Sequence, residues 1–330
     1  MAATTSAQVP LITVLGSLNI DLVSYVPHHP LPGETLTSTS FSVSPGGKGA
    51  NQAVACAKLS RTRASVKDGS ETAHIRMLGA VGSDTYGDLL LKNLSAHGVD
   101  ASGVSVRPDP AKTGIALIVV DEPTGENRII LSPEANHSLQ PADFATLPGP
   151  KPDLLIMQLE IPHPTVLAAL RAAREAGVDV LFNPAPAVAD LAEEAYQGLA
   201  HLLVNETEAA TLGGVREDEI ENEAGLAALA QKFQARGVQT VIITLGGRGV
   251  FYRSADGAQQ GLVPAEKAKV VDTTAAGDTF AGSYALAFVT AKAQGKPFDI
   301  GAAVRSANKA AAKTVEKLGA QDSIPWRDEL

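Results

Sequence analysis

Short runs that are apolar on both faces recur along this chain, and longer stretches with helical spacing separate them. No other feature restricts the fold as much. "LITVLG" (11–16), "IRMLGAVG" (75–82), "DLLIMQLE" (153–160), "VDVLFNPAP" (178–186) and "QTVIITLGG" (239–247) read as buried strands, and "HLLVNETEA" (201–209) as a strand running into a helix. "GANQAVACAKL" (49–59), "DTYGDLLLKNLSAHGV" opening on Asp84, and "HPTVLAALRAAREAG" (163–177) read as helices. Strands rich in Val, Ile and Leu, joined by amphipathic helices, predict an α/β fold with a mainly parallel central sheet flanked by helices on both faces.

Two regions break the rhythm. Residues 20–43 alternate apolar and polar positions between Pro/Gly turns, and residues 112–131 read as a hairpin around "PTG". Together they predict a small β-sheet lid within a single domain spanning 1–330. Residues 60–73, "SRTRASVKDGSETA", are polar and charged and read as an exposed loop insertion. A net charge of −9 argues against nucleic acid or an anionic membrane surface as the partner. No run approaches the roughly 18 apolar residues of a membrane span, and "MAATTSAQVP" lacks the basic and apolar regions of a secretory signal. Cys56 is the only cysteine, so no internal disulfide can form. That points to a reducing compartment, the cytoplasm, with the nucleus as a second location. Within its helical pattern Cys56 reads as a small buried side chain. The terminal "RDEL" resembles a retention tail, but without an entry signal it reads as a charged, solvated end.

Three stretches carry chemistry. In "DTTAAGDTF" (272–280), Ala275, Ala276 and Gly277 leave the backbone open just before Asp278 at the start of a long small-residue helix. The preceding "AKVV" reads as a strand. A helix start offers free N–H groups and partial positive charge, which suits an anion such as phosphate. An aspartate there would repel that anion unless it has a chemical task, and the plain alternative is a helix N-cap. "SPGGKGANQAVA" (44–55) exposes backbone at Gly46, Gly47 and Gly49 and offers Lys48 and Asn51 as donors. It is neither a Walker A loop nor a G-x-G-x-x-G fingerprint, and helix packing alone is the competing explanation. In "GSLNIDLV" (16–23), Asn19 and Asp21 share one face if the chain is extended, where they could hold neighbouring hydroxyls. Glu160 closes a strand at the end where α/β folds bind ligands. No histidine spacing marks a metal site.

"GGKGANQAVA", "DTTAAGDTF", "MQLE", "VNETEA" and "ITLGGRG", collinear from about residue 11 onward, resemble the PfkB carbohydrate kinases. "GSLNID" and "KLGAQDSIPW" point to the ribokinase branch of that family. The resemblance implies a ribokinase-like sandwich whose lid closes over the sugar and forms a homodimer contact. It implies transfer of the ATP γ-phosphoryl to O5 of D-ribose, with Asp278 as general base and an anion hole at Ala275, Ala276 and Gly277. It implies ribose held by Asn19, Asp21, Gly47, Lys48, Asn51 and Glu160, and ATP held by Asn205, Thr244, Gly246, Gly249, Gly277 and Asn308. Glu208 would order Mg²⁺ through water. A potassium ion would sit among Asp272, Thr274, Thr314, Lys317, Gly319 and Ser323. Two departures from the family pattern stand out: Glu134 where glycine is commoner, and the long loop at 60–73.

Other readings lie close by. A fructokinase-like or adenosine kinase-like member would share the fold and the base. A nucleoside pocket would need stacking aromatics, and the lid segment 20–43 offers only Tyr25 and Phe41. A catalytically silent sugar-binding regulator would have lost Asp278 or Gly277, and both are present. A nicotinamide-dependent oxidoreductase fits the alternation but lacks the glycine fingerprint.

Overall fold

Val, Ile and Leu fill both faces of the central strands because helices cover the sheet on each side. The computed structural model describes residues 9–67 and 70–330. Its strands are β1 (Leu11–Leu15), β2 (Asn19–Val26), β3 (Ser40–Gly46), β4 (His74–Gly82), β5 (Asp100–Arg107), β6 (Gly114–Asp121), β7 (Asn127–Ser132), β8 (Leu154–Met157), β9 (Asp179–Phe182), β10 (His201–Asn205), β11 (Thr240–Thr244), β12 (Val250–Ser254) and β13 (Gln260–Val263). The α-helices are α1 (Lys48–Ser60), α2 (Thr85–Ala96), α3 (His163–Glu175), α4 (Glu206–Gly213), α5 (Glu223–Ala235), α6 (Ala276–Ala293) and α7 (Ile300–Thr314).

Nine strands form the large sheet in the order β13-β12-β11-β10-β9-β8-β1-β4-β5. All its pairings are parallel except those of β12 with β11 and β13. Strand β1 lies between β8 and β4, so the order reverses around it and opens a crevice at the carboxyl ends of the strands. One apolar core packs α1, α2, α6 and α7 on one face of the sheet, and a second packs α3, α4 and α5 on the other. Cys56 lies wholly in the first core, where burial pushes its thiol up to about 12.

Close contact between α1 and α6 sets up the site. A Cβ at Gly282 would meet Ala55 Cβ at 2.7 Å, so the two backbones can approach only because that position is bare. This seam carries Asn51 and Gln52 of α1 to Asp278 of α6.

The predicted small sheet is four-stranded, in the order β3-β2-β6-β7. The hairpin around "PTG" is β6–β7, while β2 and β6 run parallel. Glu134, set against glycine in the sequence comparison, has φ 48°. That left-handed conformation costs a residue with a Cβ about 1–2 kcal/mol, which explains why glycine suits it.

Two expectations need correction. "AKVV" forms no strand: Val270 and Val271 are exposed, and the Val271 N–H reaches the Val315 carbonyl instead. The segment 60–73 is not simply an exposed loop. Ser60, Arg61 and Ser65 are buried, and Ala64–Lys67 make a 3-10 turn; residues 68–69 lie outside the described ones. The charged tail is solvated as expected, with Asp328, Glu329 and Leu330 exposed, and it is also tethered. The Arg327 guanidinium donates to the Ser60 carbonyl at 3.0 Å, and Glu329 accepts from the Trp326 N–H at 2.7 Å. The N-terminal stretch 1–8 lies outside the described residues. Among the described residues, no helix is long and apolar enough to cross a membrane.

Candidate active site

A cleft of about 1070 Å³ opens at the carboxyl ends of the large sheet, with the small sheet as its other wall. It is bordered by Asn19, Asp21, Gly47, Lys48, Asn51, Glu160, Asn205, Glu208, Thr244, Asp272, Thr274, Ala275, Gly277, Asp278 and Gly319. Residues from both ends of the chain therefore meet in one place. Ala276, Gly246, Gly249, Asn308, Thr314, Lys317 and Ser323 do not border it. Asn308 donates to the Pro264 carbonyl at 3.0 Å. The Thr314 hydroxyl is buried on Thr279 Oγ1 and the Ala310 carbonyl. Gly249 is bare because a Cβ there would meet the Val263 carbonyl oxygen at 2.0 Å.

The start of α6, like those of α1 and α3, lacks the side-chain cap that four other helices carry. Helices α2, α4, α5 and α7 are capped by their own Asp84, Asn205, Asn222 and Asp299 side chains. Helix α6 has Ala275 at its N-cap, in the left-handed region at φ 61°, with no side-chain cap. The Ala276 N–H is engaged on the Thr273 carbonyl at 3.3 Å. Those of Ala275, Gly277 and Asp278 have no partner among the described residues and are free for an anion.

Asp278 is not an N-cap. Its carboxylate accepts from Asn51 Nδ2 at 3.2 Å and Gln52 Nε2 at 3.0 Å, both on α1. Burial pushes its pKa up against the pull of Lys48, Gln52 and Asn51. Desolvation thus outweighs the helix dipole expected to favour the ionised form. Burial alone would lower the Lys48 pKa, yet Asp278, Glu160 and Glu208 together raise it. Lys48 is therefore a cation held among carboxylates.

Asn19 and Asp21 do share one face of β2, in register with Gly46 and Ser44 of β3. Asn19 Oδ1 accepts from Asn136 Nδ2 at 2.8 Å. Asp21 is buried, borders the cleft and has no hydrogen-bond partner among the described residues. Burial, with the charges of Glu160 and Asp278, lifts its pKa to about 7. A Cβ at Gly46 would meet that carboxylate at 2.2 Å.

The glycine-rich stretch serves packing as well as exposure. Gly47 caps α1 at φ 85°, and a Cβ on Gly49 would meet the Gly16 backbone at 2.6 Å. Glu160 reaches across to finish that helix start, accepting from Lys48 N–H at 3.0 Å and Ser17 Oγ at 2.5 Å. Glu208 forms a reciprocal capping box with Asn205, and burial raises its pKa. Asp272 Oδ1 accepts from the Thr274 N–H and hydroxyl, and Oδ2 from Gly319 N–H at 2.9 Å, which joins the glycine-poor loop before α6 to the C-terminal segment. Among the described residues, no three His, Cys, Asp or Glu gather as a metal cage.

Sequence reasoning missed Ser17, Gln52, Asn136, Gln158, Asn183 and Gln321, which hold the bordering residues in place. A signal existed for two of them: Gln52 and Gln158 are lone amides inside otherwise apolar buried runs, where a polar side chain needs a partner.

The profile of the pfkB family carbohydrate kinases matches residues 9–327. A curated ribokinase of Schizosaccharomyces pombe is 44% identical over 319 residues, covering 95% of this chain and 94% of that protein. The crystal structure of a Thermotoga maritima ribokinase is 38% identical, covers 97% of both chains and superposes with a TM-score of 0.78. That of an Arabidopsis thaliana ribokinase complexed with ribose and ATP is 27% identical, covers 97% of both chains and has a TM-score of 0.79. Sequence match, fold and cleft agree: the chain belongs to the pfkB family of carbohydrate kinases.

Proposed function

We propose that this chain phosphorylates D-ribose at O5 with ATP, with Asp278 as general base. The observation that carries the reading is the start of α6, where a carboxylate gripped by Asn51 and Gln52 lies beside uncapped N–H groups that face the cleft. Phosphoryl transfer is mainly positioning and charge stabilisation. Free N–H groups at Gly277 and Asp278 would receive the γ-phosphoryl, and Asp278 would take the hydroxyl proton. Asp21, with no partner of its own, would accept from ribose hydroxyls, alongside Asn19, Lys48 and Asn51. ATP would lie over Asn205 and Thr244 at the ends of β10 and β11. Tyr25 is the one aromatic side chain among the described residues bordering the cleft, which favours a free sugar over a stacked nucleoside.

Glu208 offers a hard oxygen at the cleft, as Mg²⁺ requires; bound with ATP, the metal would neutralise phosphate charge. Asp272, Thr274 and Gly319 border the cleft, and their backbone carbonyls would offer the donor type that suits potassium. A coupled ADP-release assay with Mg-ATP tests the reading on ribose, deoxyribose, fructose and adenosine. The expected result is turnover on ribose that is several-fold faster in potassium than in tetramethylammonium. Turnover on fructose or adenosine instead contradicts the substrate, and equal rates in both cations contradict the potassium site.

The small sheet would also carry a homodimer contact. Val43, Leu22, Leu117 and Ile130 lie in cross-strand register on the face away from the cleft, and Ile130 is 64% exposed. Such an apolar row suits a self-complementary partner. Light scattering is expected to give twice 34.0 kDa, falling to the single mass in Ile130→Asp. A wild type at the single mass rejects the dimer.

A further inference from the structure

Two lines of carboxamides converge on Asp278. In the first, Gln158 Nε2 donates to Gln52 Oε1 at 2.6 Å, and Gln52 Nε2 donates to Asp278 Oδ1 and to Asn183 Oδ1, each at 3.0 Å. In the second, Asn93 Nδ2 donates to Gln321 Oε1 at 2.6 Å. Gln321 Nε2 then donates to Asn51 Oδ1 at 3.0 Å, and Asn51 Nδ2 to Asp278 Oδ2 at 3.2 Å. Every donor in both lines points toward the carboxylate.

The direction is enforced. Gln52 spends its oxygen on Gln158 and its nitrogen on two acceptors. Turning that amide over would set its oxygen against Asp278 and Asn183 and its nitrogen against a donor. Asn183 cannot turn to compensate, because its own nitrogen is held by the Leu203 carbonyl at 2.9 Å. Gln52 and Gln158 are fully buried and neither borders the cleft, so these amides are not there to meet a substrate. Two adjacent buried glutamines also displace apolar packing, and Gln158 Oε1 is buried with no partner among the described residues, which costs stability.

We propose that Gln52 and Gln158 are positioning residues for Asp278, holding its carboxylate ionised and aimed into the cleft. The proposal rests on the reading of Asp278 as the base. N–H donors favour the charged form of a carboxylate, and their removal favours the neutral form. The charged groups facing Asp278 are Lys48 of α1, which favours ionisation, and Glu160 beyond β8, Asp21 of β2 and Glu208 of α4, which oppose it. Burial and the three carboxylates oppose ionisation, and the amide donors act with Lys48 against them.

The test is kcat against pH at saturating ribose and Mg-ATP for Gln52→Met and Gln158→Met. In Gln52→Met the acid limb is expected to move up by about one pH unit, the worth of one charge-assisted hydrogen bond. Its kcat should fall about tenfold at pH values on that limb and recover as pH rises, with KM for both substrates changed less than about twofold. Gln158→Met should shift the limb the same way by less. If Gln52→Met does not fold, Gln158→Met, one bond further out, decides. A loss equal at every pH, or no loss, overturns the proposal, since packing alone would leave the limb in place. Asp278→Asn in the same assay separates the two ideas. If it is inactive while the limbs stay fixed, only the positioning role fails; if it turns over normally, the base fails and the positioning role with it.

Discussion

Asp278→Asn and Asp278→Ala are expected to lower kcat by about 10²–10⁴-fold, the range for removing a general base. Titration calorimetry should find ribose and ATP affinities close to wild type. The reason lies in the division of labour within the cleft. Glu160, Lys48 and Asp21 border it with no hydrogen bond to Asp278, and the free N–H groups of α6 belong to the backbone. Asn keeps the shape but cannot take a proton, and its amide nitrogen would face one of the two donors, Asn51 or Gln52, which bond to different oxygens of Asp278. Ala removes that clash, so agreement between the two variants isolates the proton-accepting role. Turnover within a few-fold of wild type in both would contradict it.

Asp21→Asn is expected to raise the stability of the ligand-free protein above neutral pH while weakening ribose binding. The Asp21 pKa rises from 3.8 to about 7 on folding, chiefly through burial and then through Glu160 and Asp278. A raised carboxylate binds its proton more tightly in the folded state, so stability present at acid pH is lost as pH climbs from about 4 through 7. Each unit is worth about 1.36 kcal/mol, so the ionised wild-type residue costs on the order of 4 kcal/mol by pH 8. Asn carries no such penalty. Denaturation curves for the two proteins should converge toward acid pH and separate by several kcal/mol at pH 8. Curves that stay parallel would show that Asp21 ionises as freely in the folded protein as in the unfolded chain.

Apolar periodicity carried the large sheet, because strands buried on both faces and helices buried on one leave different repeats. The small sheet was legible from the hairpin around "PTG", which is β6–β7, and from the Pro/Gly turns around β2. Periodicity failed at "AKVV", where Val270 and Val271 look like a strand but border the cleft. So short a run cannot distinguish a strand buried in the core from a segment that lines a ligand cleft. It failed again at 60–73, because polar residues that satisfy one another across a long sequence separation leave no local pattern. The site was legible where glycine, lysine and aspartate cluster in short stretches. Gln52, Gln158 and Gln321 were not, because a buried amide acquires meaning only from the partner it meets in space.

The position of the transferred phosphate tests the central claim most directly. Ribose labelled with ¹³C is turned over with Mg-ATP, and carbon–phosphorus coupling in the product is read by NMR. The account predicts coupling at C5 alone, with Asp278→Asn giving no product on the same timescale. Phosphate on another carbon, or none transferred while ATP is hydrolysed, would contradict a cleft that aims the O5 hydroxyl at Asp278.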